Sequence, residues 1–188
     1  MNKKIILASG SPRREELLKG LDIPFEVILK KNISEYYPEN IAAESVPEYI
    51  AQEKAAAYKD DIKENEIILT ADTVVICNGK ILGKPADQNE ARKMLQALSN
   101  RTHSVTTGVC LTTTSRQIHF HDTTLVTFRD LSLNEIDYYI EHYHPMDKAG
   151  AYGIQEWIGY IGCTKLEGDY YNVMGLPVCR VYEELKKF

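Results

Sequence analysis

The spacing of apolar and polar residues along the chain predicts a mixed α/β protein. Short apolar or alternating runs between turn residues indicate strands, whereas apolar residues three and four positions apart indicate helices. The expected strands cover residues 4–8, 25–29, 67–69, 74–77, 103–113, 117–128, 159–166 and 170–174, with a return strand starting at 81–82. The expected helices start at Pro12, cover residues 45–59, follow Asp87 and Ser132, and close the chain from near Pro177. This mixture favours a mixed β-sheet with flanking helices in a single domain over residues 1–188.

Turn and capping residues mark several of these boundaries. Ser11 is a good N-cap, and Pro12 suits the first helical position. Asp87 to Glu90 and Ser132 to Glu135 each match the capping-box pattern. Asn78-Gly79, between two β-rich runs, predicts a two-residue hairpin turn.

Two adjacent arginines, Arg13 and Arg14, fall in the first turn of the helix that starts at Pro12. That end of a helix is electropositive, so a guanidinium group there is unfavourable unless an anion binds next to it. An oxyanion site is therefore predicted here. It would be formed by the helix N–H groups, the hydroxyls of Ser9 and Ser11 and the guanidinium groups. Surface arginines with no such partner are the alternative.

Composition narrows the function classes. A net charge of −5 argues against broad binding to nucleic acid or to anionic membranes, so phosphate chemistry is expected only in a confined pocket. No segment approaches about 18 consecutive apolar residues, which argues against a membrane span. The four cysteines form no Cys-x-x-Cys pair, so we expect free thiols in a reducing compartment and a cytoplasmic location.

Asp72 and Lys84 are the first candidates for chemistry. Asp72 follows an apolar run, so its carboxylate is either solvated at a strand break or held in a cleft. The hairpin at 78–79 folds residues 80–84 back towards Asp72, which predicts that Lys84 lies at the same end. An acid and a lysine so placed suit a charged ligand, and a surface ion pair is the alternative.

Lys54 and Glu35 are weaker candidates. Lys54 falls on the core-facing side of its helix, where a lysine either snorkels to solvent or serves a site. Glu35 lies in a polar loop with Asn32 and Ser34, where oxygen ligands for Mg²⁺ would collect. A solvated loop carboxylate is the alternative for Glu35.

Gln155 ends the glycine-rich segment 146–155. Its amide offers a donor and an acceptor together, which suits the edge of a nucleobase. A turn stabilised by Asp147 and Lys148 is the alternative. His119 and His121 share a strand face, but no third ligand is expected near them, so no metal site is predicted there.

Five segments, SGSPRREELL, AQEKA, ADTVV, GKP and DKAGAYGIQ, occur in the order seen in the Maf family. The chain resembles that family over residues 7–177, in the branch that acts on dTTP and UTP. The resemblance implies a hydrolase of nucleotide metabolism, a nucleoside triphosphate pyrophosphatase. It also implies an α/β fold with two lobes around a central cleft, related to the inosine triphosphate pyrophosphatase fold.

The resemblance further implies roles for individual residues. Asp72 matches the proton acceptor. The residues that match phosphate-binding positions are Ser9, Arg13, Arg14, Lys54 and Lys84. The residues that match positions of base selection are Arg13, Thr73 and Gln155. A divalent cation, Mg²⁺ or Mn²⁺, is expected with Asp72 and Glu35 as its ligands.

Two segments depart from the family pattern. The acidic loop reads Asn32-Ile33-Ser34-Glu35, with fewer carboxylates for a metal than the pattern has. Glu156 and Trp157 follow Gln155, where a glycine is expected, and so change the residues next to the base-selecting amide.

The expected reaction is attack of water on the α-phosphorus of dTTP, UTP or a modified pyrimidine nucleotide, which gives the monophosphate and pyrophosphate. The nucleotide is the expected partner, nucleic acid and membranes are not, and a homodimer is left open. A branch acting on methylated guanine nucleotides is one alternative, against which DKAGAYGIQ argues. A nucleotide-responsive binding protein in cell-division control and a phosphate-binding structural domain are the others.

Overall fold

A computed structural model describes residues 3–31 and 33–188 of the chain. Its strands are β1 (Lys4–Leu7), β2 (Phe25–Val27), β3 (Glu66–Cys77), β4 (Lys80–Leu82), β5 (Thr102–Thr112), β6 (Gln117–Phe128) and β7 (Cys163–Glu167). Its helices are α1 (Pro12–Lys19), α2 (Val46–Ala56), α3 (Gln88–Leu98), α4 (Leu133–Tyr143), α5 (Trp157–Gly162), α6 (Tyr170–Met174) and α7 (Val178–Leu185). Short 3₁₀ turns cover Ala43–Ser45, Pro145–Asp147 and Ala149–Ala151.

The strands form one mixed sheet in the order β2-β1-β3-β5-β6-β7, and β4 pairs with β3. β1 runs parallel to β2 and β3, whereas the pairs β3/β4 and β6/β7 are antiparallel. The expected mixed sheet with flanking helices is therefore confirmed. Leu7, the last residue of β1, lies opposite Leu69, which brings the chain that follows β1 alongside the part of β3 that leads to Asp72.

The chain divides into two compact units, of which the first comprises Met1–Thr73, Thr107–Asp122 and Gly175–Phe188. In this unit helix α2 packs on β5, where Ala51 and Ala55 of the helix contact the buried Cys110 of the strand. The start of α2 lies so close to Gly108 that a Cβ there would come within 2.1 Å of the Glu48 nitrogen. This close approach sets the position of the helix that carries Lys54.

The second unit comprises Val74–Thr106 and Thr123–Met174 and has its own apolar core. α3 buries Ala91, Met94, Leu95 and Leu98, the stripe expected from their spacing. His103, Phe128 and Tyr152 meet edge to face, with ring centroids 5.0–5.4 Å apart.

Most predicted boundaries agree with the structure. Ser11 and Asp87 cap α1 and α3 through their side chains, and Ser132 and Glu135 form a complete capping box on α4. Asn78 and Gly79 both have positive φ, as the predicted hairpin turn requires. All four cysteines are free, as expected. None of the helices in the described residues has the length and apolar character of a membrane span.

Three strand predictions need correction. β3 runs without interruption from Glu66 to Cys77, so Asp72 does not lie at a strand break. The predicted strand over 159–166 is a helix, α5, up to Gly162, because Gly159 lets the helix approach the Ile154 carbonyl more closely than any Cβ would allow. The predicted strand over 170–174 is helix α6.

Two side chains explain why α6 is helical. The Asp169 carboxylate accepts a hydrogen bond of 2.8 Å from the Tyr171 N–H, which caps the start of the turn. Asn172, fully buried, donates from its amide to Val105 O and Thr124 Oγ1. A local polar cap and one buried amide thus outweigh the aromatic and β-branched composition that favours a strand.

Candidate active site

Ser9 lies in the loop between β1 and α1, in the first unit. The Ala8 N–H donates to Leu69 O at 2.9 Å, which holds the start of this loop against β3. Ser9 is buried, and its hydroxyl accepts a hydrogen bond from the Ser11 N–H at 3.3 Å. The loop therefore presents a serine hydroxyl next to the N-terminus of a helix, the arrangement expected for an oxyanion site.

Asp72 lies in the middle of β3. Asp72 and Thr73 are only partly buried, whereas every other residue of the strand is buried. Lys54 Nζ lies 2.8 Å from Asp72 Oδ1 and 2.8 Å from Glu35 Oε1. One ammonium group therefore joins two carboxylates that are distant in sequence. The Lys54 side chain is only 14% exposed and its ammonium group is paired with carboxylates, so it does not simply extend into solvent. Its role in a site stays a prediction.

Arg14 is held by four hydrogen bonds within the first unit. Nε donates to Gly175 O at 2.8 Å, and Nη2 donates to Thr73 Oγ1 at 3.0 Å. Nη1 donates to Ser9 Oγ at 3.2 Å and to Ala71 O at 2.9 Å. Burial lowers the pKa of Arg14, and the nearby Asp72 carboxylate opposes that effect. Arg13, its neighbour in α1, is partly exposed.

Asp72 and Glu35 are the carboxylates that the sequence predicts as metal ligands. Both contact the same ammonium group, so they lie close enough together to share a cation. Within residues 3–31 and 33–188, no group of three or more His, Cys, Asp or Glu side chains is arranged to hold a metal ion. Two carboxylates still fit Mg²⁺, which commonly takes one or two from the protein and its other ligands from water and substrate phosphates. Asn32 lies outside the described residues.

Lys84 and Gln155 belong to the second unit. Lys84 follows β4, next to Gly83, whose carbonyl accepts a hydrogen bond of 3.0 Å from the Gly150 N–H. The Gln155 carbonyl oxygen Oε1 is buried and has no hydrogen-bond partner within the described residues. The predicted approach of Lys84 to Asp72 stays a prediction.

Glu156, the departure from the family pattern, is anchored inside the second unit. Its Oε1 lies 3.1 Å from the buried ammonium group of Lys148, and its Oε2 accepts a short hydrogen bond from the Tyr139 hydroxyl. That hydroxyl accepts a hydrogen bond of 3.0 Å from the Gly153 N–H. Glu156 therefore braces the turn that carries Gln155.

One polar cluster was not predicted from the sequence. Glu48 accepts hydrogen bonds from His119 and His121, at the start of α2 in the first unit. Burial alone would raise the pKa of Glu48, but the two histidines hold it below its ordinary value. Glu48 is more than 70 residues from either histidine, so no local pattern links them.

Two named proteins are similar to this chain over nearly its full length. A dTTP/UTP pyrophosphatase of Phocaeicola vulgatus is 58% identical over 184 residues, which cover 98% of this chain and 95% of that protein. A dTTP/UTP pyrophosphatase of Porphyromonas gingivalis is 54% identical over 98% of this chain and 94% of its own length.

Similarity of fold extends further. The Ham1 protein of Staphylococcus aureus has a TM-score of 0.56 at 16% identity, with 98% of this chain and all of the other covered. That likeness concerns the fold alone, and it agrees with the fold relationship that the resemblance implied. The model of the family described as Maf-like protein matches residues 4–188. The chain therefore belongs to the Maf-like protein family.

Proposed function

We propose that the chain is a nucleoside triphosphate pyrophosphatase that hydrolyses dTTP and UTP, together with modified pyrimidine nucleotides, to the monophosphate and pyrophosphate. Acting in the cytoplasm, it would limit the incorporation of unwanted nucleotides into nucleic acids. The observation that carries the proposal is the Lys54 ammonium group held between Asp72 and Glu35. The names of the relatives from P. vulgatus and P. gingivalis support it.

Asp72 takes the proton of the attacking water. Lys54 donates to Asp72 Oδ1 and so holds the carboxylate in one orientation, and we assign the water to the other oxygen, Oδ2. As the water oxygen bonds to the α-phosphorus, the bond from that phosphorus to the oxygen bridging to the β-phosphorus breaks. Pyrophosphate leaves with the electron pair, and Asp72 passes its proton to solvent.

Positive charge at the phosphates is the second requirement. The N–H groups at the start of α1 and the Ser9 hydroxyl suit the phosphate oxygens. Arg13 and Lys84 match the family's phosphate-binding positions, and their charge would stabilise the negative charge that shifts to pyrophosphate.

Gln155 would account for a preference for uracil and thymine over cytosine. Uracil and thymine present an N3–H donor, whereas cytosine presents an acceptor at the same position. The buried Oε1 of Gln155, for which residues 3–31 and 33–188 offer no hydrogen-bond partner, would accept that N3–H. A buried acceptor that meets another acceptor is strongly unfavourable, so cytosine nucleotides would be rejected.

A divalent cation, Mg²⁺ or Mn²⁺, completes the proposal, with Asp72 and Glu35 as its protein ligands. When bound, it would polarise the phosphate oxygens and neutralise part of their charge. Glu35 is the more exposed of the two carboxylates. When a cation binds, Glu35 would give up its contact with Lys54 and contact the cation, and its exposure favours that exchange.

Turnover in ¹⁸O-labelled water tests the reaction and its site of attack. We expect dTTP and UTP to be hydrolysed faster than CTP, dATP and dGTP, with ¹⁸O in the monophosphate and none in pyrophosphate. Label in pyrophosphate would place the attack on the β-phosphorus and contradict the mechanism. Tight nucleotide binding without hydrolysis would instead favour a nucleotide-responsive binding protein.

Asp72→Asn is the decisive variant. We expect kcat to fall by about 100- to 10,000-fold, the usual contribution of a general base. The matched control is Arg180→Lys, an exposed residue of α7 that stacks on Phe120 and is expected to keep wild-type turnover. Near-normal turnover in Asp72→Asn would remove Asp72 from the role of proton acceptor.

A further inference from the structure

We propose that Arg14 is a positioning residue for Asp72 and not a phosphate ligand. The assignment rests on the proposed function, since it presumes that Asp72 is the proton acceptor. It gives Arg14 a different role from that of its neighbour Arg13.

The guanidinium group of Arg14 grips β3 on both sides of Asp72. Nη1 donates to the carbonyl of Ala71, the residue before Asp72, at 2.9 Å. Nη2 donates to the hydroxyl of Thr73, the residue after Asp72, at 3.0 Å. The two bonds come from a rigid planar group, so they fix the backbone of this short stretch and thereby the direction of the Asp72 side chain.

The same guanidinium group is anchored at two further points of the first unit. Nη1 also donates to Ser9 Oγ, in the loop before α1, and Nε donates to Gly175 O, just before α7. Arg14 therefore ties two further stretches of the chain, the loop before α1 and the segment before α7, to the strand that carries Asp72. Thr73 Oγ1 is linked in turn to Thr107 Oγ1 of β5 at 2.9 Å, which extends the brace across the sheet.

These bonds occupy most of the donors of Arg14. Among the described residues, four of its five N–H groups have protein acceptors. Turning the guanidinium towards a phosphate would leave the carbonyls of Ala71 and Gly175 without these donors. An unsatisfied buried carbonyl is unfavourable, so the protein contacts favour the bracing geometry over phosphate binding.

Arg14→Lys tests this assignment because lysine keeps the charge but has no planar fork to span Ala71 and Thr73. We expect kcat for dTTP to fall by about 10- to 100-fold through misplacement of Asp72. The Kd of the non-hydrolysable analogue α,β-imido-dTTP should stay within about twofold of wild type.

Arg13→Gln and Arg180→Lys are the comparison variants. The first should weaken α,β-imido-dTTP binding, as loss of a phosphate ligand requires, and the second should change neither quantity. If Arg14→Lys instead keeps wild-type kcat and weakens analogue binding about tenfold, Arg14 is a phosphate ligand and the assignment is overturned.

Amide hydrogen exchange separates this assignment from the proposed function. Exchange in a peptide that contains residues 71–73 should be faster in Arg14→Lys than in wild type and unchanged in Arg180→Lys, whatever the substrate turns out to be. Unchanged exchange in Arg14→Lys would overturn the brace, whereas absence of dTTP and UTP turnover in wild type would overturn only the proposed function.

Should Arg14→Lys fail to fold, Arg14→Ala with added guanidinium ion replaces it. Guanidinium at concentrations too low to unfold the protein should restore part of kcat without changing analogue affinity. Restored analogue affinity without restored kcat would contradict the positioning role.

Discussion

The ammonium nitrogen of Lys54 lies 2.8 Å from Oδ1 of Asp72, and the two side chains are only 14% and 15% exposed. Removing Lys54 would leave the Asp72 carboxylate poorly solvated and without this ammonium group, which is unfavourable. The pair therefore both stabilises the first unit and sets the orientation of Asp72.

Lys54→Met should lower both activity and stability. We expect kcat to fall at least about 100-fold because Asp72 loses the group that orients it. We expect the free energy of unfolding in urea to fall by about 1–3 kcal/mol, the usual cost of an unpaired buried group. Lys19→Met is the control, because its pair with Glu15 is 65% and 39% exposed and should contribute little. Equal effects of the two substitutions would contradict the importance of the Lys54–Asp72 pair.

Glu35→Gln should change metal dependence more than stability. Glu35 is 57% exposed, so loss of its pair with Lys54 should lower the free energy of unfolding by less than about 1 kcal/mol. Loss of a ligand carboxylate should raise the Mn²⁺ concentration needed for half-maximal turnover by about tenfold. Turnover measured against Mn²⁺ concentration gives this value, and an unchanged half-maximal concentration would remove Glu35 from the ligand set.

Local patterns predicted the parts of the fold whose signals agree with one another. α3 and α4 combine capping residues with an apolar stripe, and both occur as expected. α6 was mispredicted because a buried amide, that of Asn172, decides its conformation through contacts to Val105 and Thr124. Such contacts join residues far apart in sequence, so periodicity carries no trace of them.

In the candidate site, too, some features could be predicted from local sequence and others could not. Local signals predicted an anion-binding site at the start of α1 and singled out Asp72. The contact of Lys54 with Asp72 and Glu35 depends on how α2 packs against β5, which residue spacing does not reveal. The anchoring of Arg14 by Gly175 spans 161 positions and lay equally outside local reasoning.

Gln155→Met should alter substrate choice without destabilising the protein. Because Oε1 of Gln155 has no hydrogen-bond partner among the residues that the structure describes, its removal should leave the free energy of unfolding unchanged or higher. The ratio of kcat/KM for UTP to that for CTP should fall by about tenfold or more, since the acceptor for N3–H is lost. An unchanged ratio in competition assays would rule out a role for Gln155 in base selection.

Glu156→Ala should destabilise the second unit. The substitution removes the acceptor of the Tyr139 hydroxyl and one partner of the buried Lys148 ammonium group, whose remaining carboxylate partner in the described part of the chain is Asp147 at 2.8 Å. We expect a loss of about 1–3 kcal/mol in urea unfolding. Glu156→Gln keeps the shape and a hydrogen-bond acceptor and should lose less. Equal losses for both variants would show that the charge of Glu156, and not its hydrogen bonding, is what matters.

His103 should make the protein less stable in mild acid. It is buried, with its Nε2 2.7 Å from the Tyr152 hydroxyl, and burial lowers its pKa to about 4. Between pH 6.5, the ordinary value, and about pH 4, the unfolded chain therefore binds a proton that the folded protein does not, so stability falls as the pH falls.

We expect His103 to account for about 2 kcal/mol of the loss in unfolding free energy between pH 7 and pH 5. His103→Gln cannot titrate but keeps polar atoms that can reach Tyr152, so its urea unfolding should depend less on pH by about that amount. The test compares the slopes of unfolding free energy against pH, because the substitution also lowers stability at every pH. Parallel curves for wild type and His103→Gln would mean that His103 takes up its proton equally in the folded and unfolded states, against the effect expected from its burial.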